Sequence, residues 1–238
     1  MLQPWQKGKV LRIEQTTPNT RRFWIEIIGI PIFNFQPGQF VTLDLPIHEQ
    51  RNKRWRSYSI ASWPNNTNVI ELVIVFTEHG AGTQYLFNEV HEGSELTLRG
   101  PQGVFVLPAI IDKDLFLICT GTGIAPFRSM VHYIKNHNIA HQHIHILFGC
   151  RTQQDLLYYD EMKTLEKEML HFHYTPTLSR EQWQGKTGYV HALYEELSMN
   201  KPNAKFFLCG WKNMIDEARK KLQQLGYDKK QIHFELYG

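Results

Sequence analysis

The hydrophobic pattern of this 238-residue chain changes once, near residue 107, and that change limits what the chain can fold into. Before it, short segments rich in β-branched and aromatic residues are separated by turn signals such as Gln36-Pro37-Gly38, which is typical of a β domain. After it, apolar strands alternate with helical patterns, which indicates a parallel sheet with helices on both faces. We therefore predict two domains, residues 1–107 and residues 108–238.

The first domain is predicted to be a closed barrel of six short strands, and the second an α/β domain with five parallel strands. The barrel strands are expected at Lys9–Ile13, Phe23–Ile28, Gln39–Leu45, Ser57–Ser62, Val69–Phe76 and Glu95–Arg99, with a short helix at Gly82–Val90. The parallel strands are expected at Leu115–Cys119, Ile144–Phe148, Phe172–Thr175, Lys205–Cys209 and Ile232–Leu236. Helices are expected at Ala125–Asn136, Gln154–Met169, Tyr189–Leu197 and Trp211–Leu225.

Composition and charge exclude several classes of protein. The chain is 42% hydrophobic and 21% charged, as expected for a globular protein, and its 26 basic and 23 acidic residues are too balanced to predict a nucleic-acid partner. No apolar run approaches the roughly 20 residues of a membrane-spanning helix, and the first residues lack a signal-peptide pattern, so we expect a cytoplasmic protein. The oligomeric state is not predictable from these features.

The three cysteines lack both the number and the spacing of a disulfide framework or an iron–sulfur cluster. His137, His141, His143 and His145 superficially suggest a metal site. However, His143 and His145 alternate with isoleucines along a strand edge, and no carboxylate or cysteine joins them at ligand spacing. We therefore predict no metal site.

A glycine-rich turn follows the first strand of the second domain. The segment Leu115–Phe127 passes from an apolar strand through Thr120-Gly121-Thr122-Gly123 into a helix. Free N–H groups at a helix N-terminus attract anions, and glycines let the backbone approach a pyrophosphate closely. Pro126 suits the first helical turn because that turn needs no N–H donor there. The turn is a candidate phosphate cradle.

The segment Arg56-Ser57-Tyr58-Ser59 on a barrel strand carries a second set of binding groups. A guanidinium can hold a pyrophosphate through two hydrogen bonds, an aromatic ring can stack on a flat cofactor, and a hydroxyl can bond to a ring nitrogen. Taken alone, the same segment could equally be an ordinary exposed strand face.

Together these motifs resemble the ferredoxin–NADP reductase family of flavoproteins. The ordered motifs that carry the resemblance are Arg56-x-Tyr58-Ser59, Gly80-Ala81-Gly82-Thr83, Gly100-Pro101-x-Gly103, Thr120–Pro126, Cys209-Gly210 and Phe234-Glu235-Leu236-Tyr237, which span nearly the whole chain. The resemblance implies an antiparallel, six-stranded FAD barrel and a five-stranded parallel NAD(P) domain. It further implies a flavoenzyme that transfers hydride between nicotinamide and flavin N5 and passes single electrons to a separate carrier, ferredoxin or flavodoxin.

The resemblance also assigns roles to residues, position by position. In the flavin domain Arg56 would hold the FAD pyrophosphate, Tyr58 would stack on the isoalloxazine and Ser59 would bond to flavin N5. Further FAD contacts would come from Gly82, Thr83 and the backbone of Val73, Ile74 and Val75. The catalytic set would be Ser59, Cys209, Glu235 and Tyr237, with Cys209 beside the nicotinamide, Glu235 by the flavin and Tyr237 covering the flavin face. Family members of the plant type end at that tyrosine, whereas this chain adds Gly238.

The nicotinamide nucleotide site would include Thr120, Gly121, Thr122, Gly123, Cys209 and Gly210. Arg151 follows the second parallel strand, where NAD-binding proteins commonly place an acidic residue, and arginine suits a 2′-phosphate. Ser179 and Arg180 resemble the pair that binds this phosphate in NADP-using members, with Lys186 and Tyr189 at matching later positions. We therefore favour NADPH over NADH, although Trp183-x-Gly185-x-x-Gly188 also resembles NADH-using oxygenase reductases.

Two other functions remain open from the sequence. The chain could be the reductase component of an oxygenase or hydroxylase system that uses NADH, or a flavin subunit that relays electrons without nicotinamide turnover. The segment His48–Arg56 has four basic residues and one acidic residue, a local charge of 4 − 1 = +3. This segment could dock an acidic electron carrier or be a solvated loop.

Overall fold

The computed structural model describes residues 3–237, which divide into two compact units. The first unit extends to Val106 and includes the segment Arg128–Tyr133. The second unit contains Leu107–Phe127 and the described residues from Ile134 onward.

The first unit is an antiparallel, six-stranded barrel, as the sequence predicts. Its elements are β1 (Trp5–Thr17), β2 (Thr20–Ile27), β3 (Phe40–Asp44), β4 (Trp55–Ser59), β5 (Val69–Val75), α1 (Ala81–Asn88) and β6 (Glu95–Gln102). The strands lie in the order β4-β3-β6-β1-β2-β5, and a bridge between Ile60 and Leu72 joins the two ends of the sheet. Along β2 the side chains of Phe23, Ile25 and Ile27 are buried, which is the two-residue period of a strand with one face in a core.

A buried ion-pair network lies in this unit. The Glu71 side chain accepts a hydrogen bond of 2.6 Å from Arg22 Nε and one of 2.9 Å from an Arg128 guanidinium nitrogen. Arg128 also donates to the carbonyl of Ala61 at 2.9 Å. Because Glu71 and Arg128 are only 3% and 5% exposed, each charge depends on its partners for the hydrogen bonds that water would otherwise supply.

The second unit is a parallel sheet with flanking helices. Its strands are β7 (Asp114–Thr120), β8 (Ile144–Cys150), β9 (Phe172–Leu178), β10 (Lys186–Thr187), β11 (Ala204–Trp211) and β12 (Ile232–Tyr237). Its helices are α2 (Ala125–Asn136), whose central residues group with the first unit, α3 (Tyr159–Glu168), α4 (Val190–Ser198) and α5 (Lys212–Gln224). The strand order is β10-β9-β8-β7-β11-β12.

The sheet of the second unit has six strands, so the prediction of five was wrong. The additional strand, β10, consists of two exposed residues that pair with Thr177 and Leu178 of β9. A strand of two exposed residues has no hydrophobic alternation and therefore leaves no signal in the sequence.

The third helix also starts later than predicted. The sequence predicts a helix from Gln154, but α3 begins at Tyr159. Thr152 and Asp155 form a reciprocal capping box around a separate 3-10 turn, and Tyr158 then adopts a left-handed conformation with φ of 57°. These local hydrogen bonds end the first turn before an α-helix can continue from it.

Apolar packing between strands and helices forms the core of the second unit. Residues of β7 and β11 pack with the buried faces of α4 and α5, which contribute Leu193, Tyr194, Ile215, Ala218 and Leu222. None of the helices in the described part of the chain is long and apolar enough to cross a membrane.

The ion-pair network makes a testable contribution to stability. Replacing Glu71 with Gln removes a buried negative charge between two guanidinium groups, so we expect Glu71→Gln to lower the free energy of unfolding by about 3 kcal/mol. Urea unfolding measures this change. Glu14→Gln is the matched control because Glu14 also pairs with Arg22 but its side chain is 34% exposed, so its loss should cost less than about 1 kcal/mol. Equal losses of stability in the two variants would contradict the conclusion that burial makes the Glu71 ion pairs important.

Candidate functional site

In the first unit, Arg56 lies against the N-terminus of α1. Arg56 and Tyr58 point to the same face of β4 because residues two apart share a face. A Cβ atom added to Gly82 would come within 2.8 Å of Arg56 Cγ, so only glycine fits beside this side chain. Arg56 donates to the carbonyls of Lys53 at 3.0 Å and Trp55 at 2.8 Å, which fixes its position. A guanidinium beside a helix N-terminus is suited to bind a diphosphate.

Tyr58 and Ser59 follow Arg56 on the same strand. Tyr58 packs against the barrel core, and its burial raises the pKa of the phenol above its ordinary value, opposed by the positive charge of Arg56. The ring therefore stays a neutral aromatic surface. Ser59 is 3% exposed and ends β4. These positions are compatible with the stacking and hydrogen-bonding roles expected from the sequence.

The strand β5 offers backbone groups for binding. One edge of Val73–Val75 pairs with β2, and β5 lies last in the strand order of the sheet. On the other edge of β5, the bridge found among residues 3–237 joins Ile60 to Leu72, so it ends just before Val73. Backbone groups of Val73, Ile74 and Val75 on that edge can therefore meet a ligand without breaking a strand pair.

Thr83 has a structural role that the sequence did not reveal. Its hydroxyl accepts the backbone N–H of Thr77 at 3.1 Å and shares its one proton between the carbonyls of Gly80 at 3.0 Å and Thr77 at 3.2 Å, with the Thr77 hydroxyl 3.0 Å away. Thr83 therefore holds the loop before α1 in shape, and its backbone lies in the first turn of that helix. Two threonines six residues apart were the only sequence signal for this pairing. An open depression adjoins this loop and is lined by Ile47, Glu78, His79, Ala81 and Gln84.

In the second unit, the predicted phosphate cradle lies at the carboxyl edge of the sheet. After β7 the chain forms a 3-10 turn at Gly121–Ile124 and continues directly into α2. A Cβ atom on Gly123 would lie 2.3 Å from the carbonyl oxygen of Cys209. The turn therefore packs directly on the backbone of β11, which brings the predicted Thr120–Pro126 and Cys209-Gly210 segments together.

Thr120 presents a polar group without a protein partner. Its hydroxyl oxygen is buried and forms no hydrogen bond with any described residue. Gly210 lies beside it, since a Cβ atom there would be 2.5 Å from that oxygen. A buried hydroxyl needs a hydrogen-bond partner, and a bound nucleotide would supply one. The residues present therefore fit a nicotinamide nucleotide.

Cys209, Glu235 and Tyr237 lie together on neighbouring strands of the second unit. In the parallel pairing of β11 with β12, Cys209 is opposite Glu235. Burial and the negative charge of Glu235 raise the pKa of the Cys209 thiol well above its ordinary value, although a hydrogen bond with Tyr237 acts in the opposite direction. Cys209 is therefore a neutral thiol, suited to contact an aromatic ring rather than to act as a thiolate nucleophile. Gly238 lies outside the described residues.

The carboxyl ends of β8 and β9 bring two arginines to one edge. The backbone N–H of Arg180 donates to the carbonyl of Arg151 at 3.0 Å, and both residues are exposed. Ser179 N–H and hydroxyl both donate to the carbonyl of Cys150, at 3.0 and 3.2 Å. Burial, with the nearby charges of Asp155 and Glu181, raises the pKa of Cys150 to about 12. The paired arginines are available for a phosphate, and the neighbouring thiol stays uncharged.

Lys186 and Tyr189 are placed differently from each other. Lys186 Nζ lies 3.4 Å from the Glu196 carboxylate, an exposed ion pair that binding of a phosphate would have to compete with. Tyr189 is 74% exposed and precedes α4, so its ring is free to pack on a ligand.

The histidines noted in the sequence lie away from this edge. His143 and His145 lie at the start of β8, where His171 and His173 of the neighbouring strand join them. Strand register brings these pairs together, and the sequence alone did not indicate it. Across residues 3–237, no three histidine, cysteine or acidic side chains are grouped so that they could hold a metal ion.

The fold and both sets of residues define a flavin- and nicotinamide-dependent oxidoreductase. Residues 7–107 match the model of the oxidoreductase FAD-binding domain, and residues 117–220 match that of the oxidoreductase NAD-binding domain. The chain is 33% identical over 240 residues to ferredoxin–NADP reductase B of Sorangium cellulosum, covering 97% of both proteins. This chain belongs to the ferredoxin–NADP reductase family, as its motifs predicted, and is a reductase-type flavoenzyme.

Other relatives belong to oxygenase systems. The chain is 30% identical over 210 residues to the anthranilate 1,2-dioxygenase electron transfer component of Acinetobacter baylyi, covering 86% of this chain and 58% of that protein. An Amycolatopsis cytochrome P450 reductase structure superposes with a TM-score of 0.88 at 25% identity, over 98% of this chain and 70% of that one. A Neisseria gonorrhoeae ferredoxin–NADP+ reductase has the same fold, with a TM-score of 0.82 at 24% identity and 98% coverage of both chains.

The close approach at Gly123 can be tested directly. The Cβ of Gly123→Ala would collide with the backbone of Cys209, so we expect the variant to lose about 1–3 kcal/mol of stability in the second unit. Urea unfolding followed by circular dichroism measures the loss. Gly121→Asn is the control, because nothing lies within 4 Å of a Cβ there and asparagine tolerates its φ of 53°. If the two variants were equally stable, the assigned contact would be wrong.

Proposed function

We propose that this flavoenzyme oxidises NADPH and passes electrons one at a time to a separate acidic carrier, a ferredoxin or flavodoxin. The observation that supports the NADPH preference is the backbone hydrogen bond from Arg180 to Arg151, which brings two exposed arginines to the carboxyl edge of the sheet beside Ser179. Two guanidinium groups and a backbone-anchored serine loop suit a 2′-phosphate better than a ribose hydroxyl. The relative from Sorangium, similar over 97% of both proteins, supports the same carrier class.

A flavin held by Arg56, Tyr58 and Ser59 would supply hydride exchange with nicotinamide and single-electron transfer to the carrier. The chain contributes binding and orientation. Arg56 and the first turn of α1 hold the diphosphate, Tyr58 offers its ring to the isoalloxazine, and Ser59 offers its hydroxyl to N5. Most of the rate enhancement would then come from positioning two rings rather than from acid–base catalysis.

In the second unit, Thr120–Gly123 and Gly210 hold the nucleotide, and Cys209 presents an uncharged sulfur to the nicotinamide. Glu235 keeps a carboxylate beside that thiol, as the raised pKa of Cys209 indicates. Tyr237 covers the flavin face in this proposal and moves aside for nicotinamide.

The charge pattern of residues 48–56 supports an acidic carrier. Arg54 Nε pairs with Asp44 at 2.8 Å, and Arg56 is assigned to the diphosphate, with one guanidinium nitrogen bonded to backbone carbonyls. Arg51, whose Nε lies 3.9 Å from Asp44, and Lys53 are the exposed cations of the segment, so they are the ones that a protein partner would meet. Complementary charge speeds encounter between partners and makes it sensitive to salt.

The three free thiols of this chain further support a reducing, cytoplasmic location.

Anaerobic stopped-flow reduction tests the proposed function. We expect NADPH to bleach the bound flavin faster than NADH does, and a ferredoxin or flavodoxin to reoxidise it at a rate that falls with added salt. Lys53→Glu should slow reoxidation and leave reduction by NADPH unchanged. Reduction by neither nucleotide would instead support an electron-relay subunit.

A second candidate function is the reductase component of an oxygenase system. The segment Trp183–Gly188 and the similarity to the anthranilate dioxygenase component favour it. In that case NADH would reduce the flavin at least as fast as NADPH, and an oxygenase-type iron–sulfur protein would be the faster acceptor.

Arg180 provides the sharpest test of nucleotide preference. Removing a charge-assisted hydrogen bond to a phosphate costs about 1.5–3 kcal/mol, so Arg180→Ala should raise KM for NADPH by roughly 10–100-fold and change KM for NADH little. Steady-state kinetics with both nucleotides measure the two effects. Gln184→Ala, an exposed change in the same loop, is the control and should leave both constants unaltered. Equal increases for both nucleotides would remove the NADPH assignment.

A further inference from the structure

Four histidines form a cluster at the amino-terminal ends of β8 and β9. His143 immediately precedes β8 and His171 immediately precedes β9, while His145 and His173 are the second residues of these strands. His145 and His173 are directly opposite each other in the parallel register. Since residues two apart share a face, all four rings lie on one side of the sheet. We call His143, His145, His171 and His173 the histidine cluster.

The rings of the histidine cluster are in mutual contact. The centroids of His145 and His173 are 4.9 Å apart in a stacked arrangement, and those of His143 and His173 are 5.6 Å apart. His143 also meets His171 edge-on at 4.7 Å. In addition, His143 Nδ1 and His173 Nε2 share a hydrogen bond of 3.3 Å. The starts of β8 and β9 are therefore linked through imidazole rings.

This arrangement requires that at least one ring of the hydrogen-bonded pair is uncharged. A hydrogen bond between two imidazoles needs one nitrogen with a proton and one without, and an imidazolium has no free acceptor nitrogen. Once both His143 and His173 are protonated, the bond is lost and two like charges remain in its place. Stacked neutral rings would likewise become stacked cations, which repel each other.

The surrounding charges do not balance a fully protonated cluster. From β7, the side chain of Asp114 accepts the backbone N–H of His143 at 3.1 Å. From α3, Glu166 faces His173 but already accepts the backbone N–H of Tyr174 and pairs with Lys163 at 2.8 Å. Four imidazolium charges against these two carboxylates leave 4 − 2 = +2, before Lys163 is counted. His145 packs on its other side against the uncharged ring of Phe116.

We propose that the histidine cluster makes the pairing of β8 with β9 acid-sensitive, so that mild acidification opens the amino-terminal ends of these strands. The opening is local because the cluster lies at the opposite end of the strands from the candidate nucleotide site. Backbone bonds at this end, such as Ile144 N–H to the carbonyl of His171 at 2.8 Å, are the ones expected to open first.

The lowered pKa values of two cluster histidines make acid favour the open state. Burial, followed by the charge of His173, lowers the pKa of His145 to about 4, and burial with His143 lowers the pKa of His173. In an unfolded chain histidine titrates near 6.5, so between pH 6.5 and 4 the open state binds more protons than the closed one. Stability is therefore complete above about pH 6.5 and falls as the pH falls toward 4.

Hydrogen–deuterium exchange on the flavin-loaded protein tests the proposal. Exchange is followed at pH 7 and pH 5 in peptides covering residues 143–150 and 171–178, with rates corrected for the intrinsic pH dependence of amide exchange. We expect the opening equilibrium of these segments to rise about tenfold on acidification, the size that linkage gives for one partly exposed histidine of this kind. Barrel strands should change much less.

Variants separate this effect from general acid damage. The double variant His145→Gln/His173→Gln should lose most of the pH-dependent opening, whereas His79→Gln, which removes an exposed histidine of the first unit, should behave as the wild type. Should the double variant fail to fold, the NMR titration of the wild-type rings decides the question. Titration of His145 and His173 near pH 6.5, or equal opening in the double variant and the wild type, would overturn the proposal.

Discussion

The contact of the turn Gly121–Ile124 with the backbone of β11 is the constraint on which the nucleotide half of this enzyme depends. A turn that approaches a strand carbonyl so closely leaves no room for a side chain at Gly123, and it aligns the start of α2 with the end of β11. The parallel register places the other candidate residues nearby, because β7, β8, β9 and β11 all end at the same edge. Residues far apart in sequence therefore meet at one edge of the sheet, the edge where open α/β sheets bind ligands.

The flavin half solves the same chemical problem with a different kind of group. The anion site proposed there is a side-chain cation, Arg56, packed on the backbone of Gly82 at the start of α1. A guanidinium gives directional, charge-assisted hydrogen bonds, whereas the turn before α2 relies on backbone N–H groups and the helix dipole. Both solutions need a glycine for close approach, and this is why glycine motifs were visible in the sequence in both halves.

Local signals predicted most of the fold, and contacts across strands were the part that they missed. Periodicity indicated β1 to β9, β11 and β12 and all five helices, because each buries a face that repeats along the chain. The strand β10 buries nothing, and the capping box at Thr152 shortens α3, so neither β10 nor the start of α3 was predicted correctly. Glu71 looked like a strand residue of no special note, since its two arginine partners lie 49 and 57 positions away. Pairing of this kind depends on register and helix placement, which composition and spacing do not encode.

The phosphate cradle and the arginines proposed to set nucleotide preference differ in how deeply they are embedded in the fold. The phosphate cradle is embedded between β7, α2 and β11, where a single methyl group would collide with the backbone, so it tolerates little change. Arg151 and Arg180 instead lie on exposed loop ends, joined to each other by a backbone hydrogen bond, and their side chains can be replaced without cost to the core. If these arginines set the nucleotide preference, as proposed, surface substitutions are enough to change it. A ferredoxin–NADP reductase and an anthranilate dioxygenase component align with 97% and 86% of this chain, which agrees with a fold that is kept while its exposed groups vary.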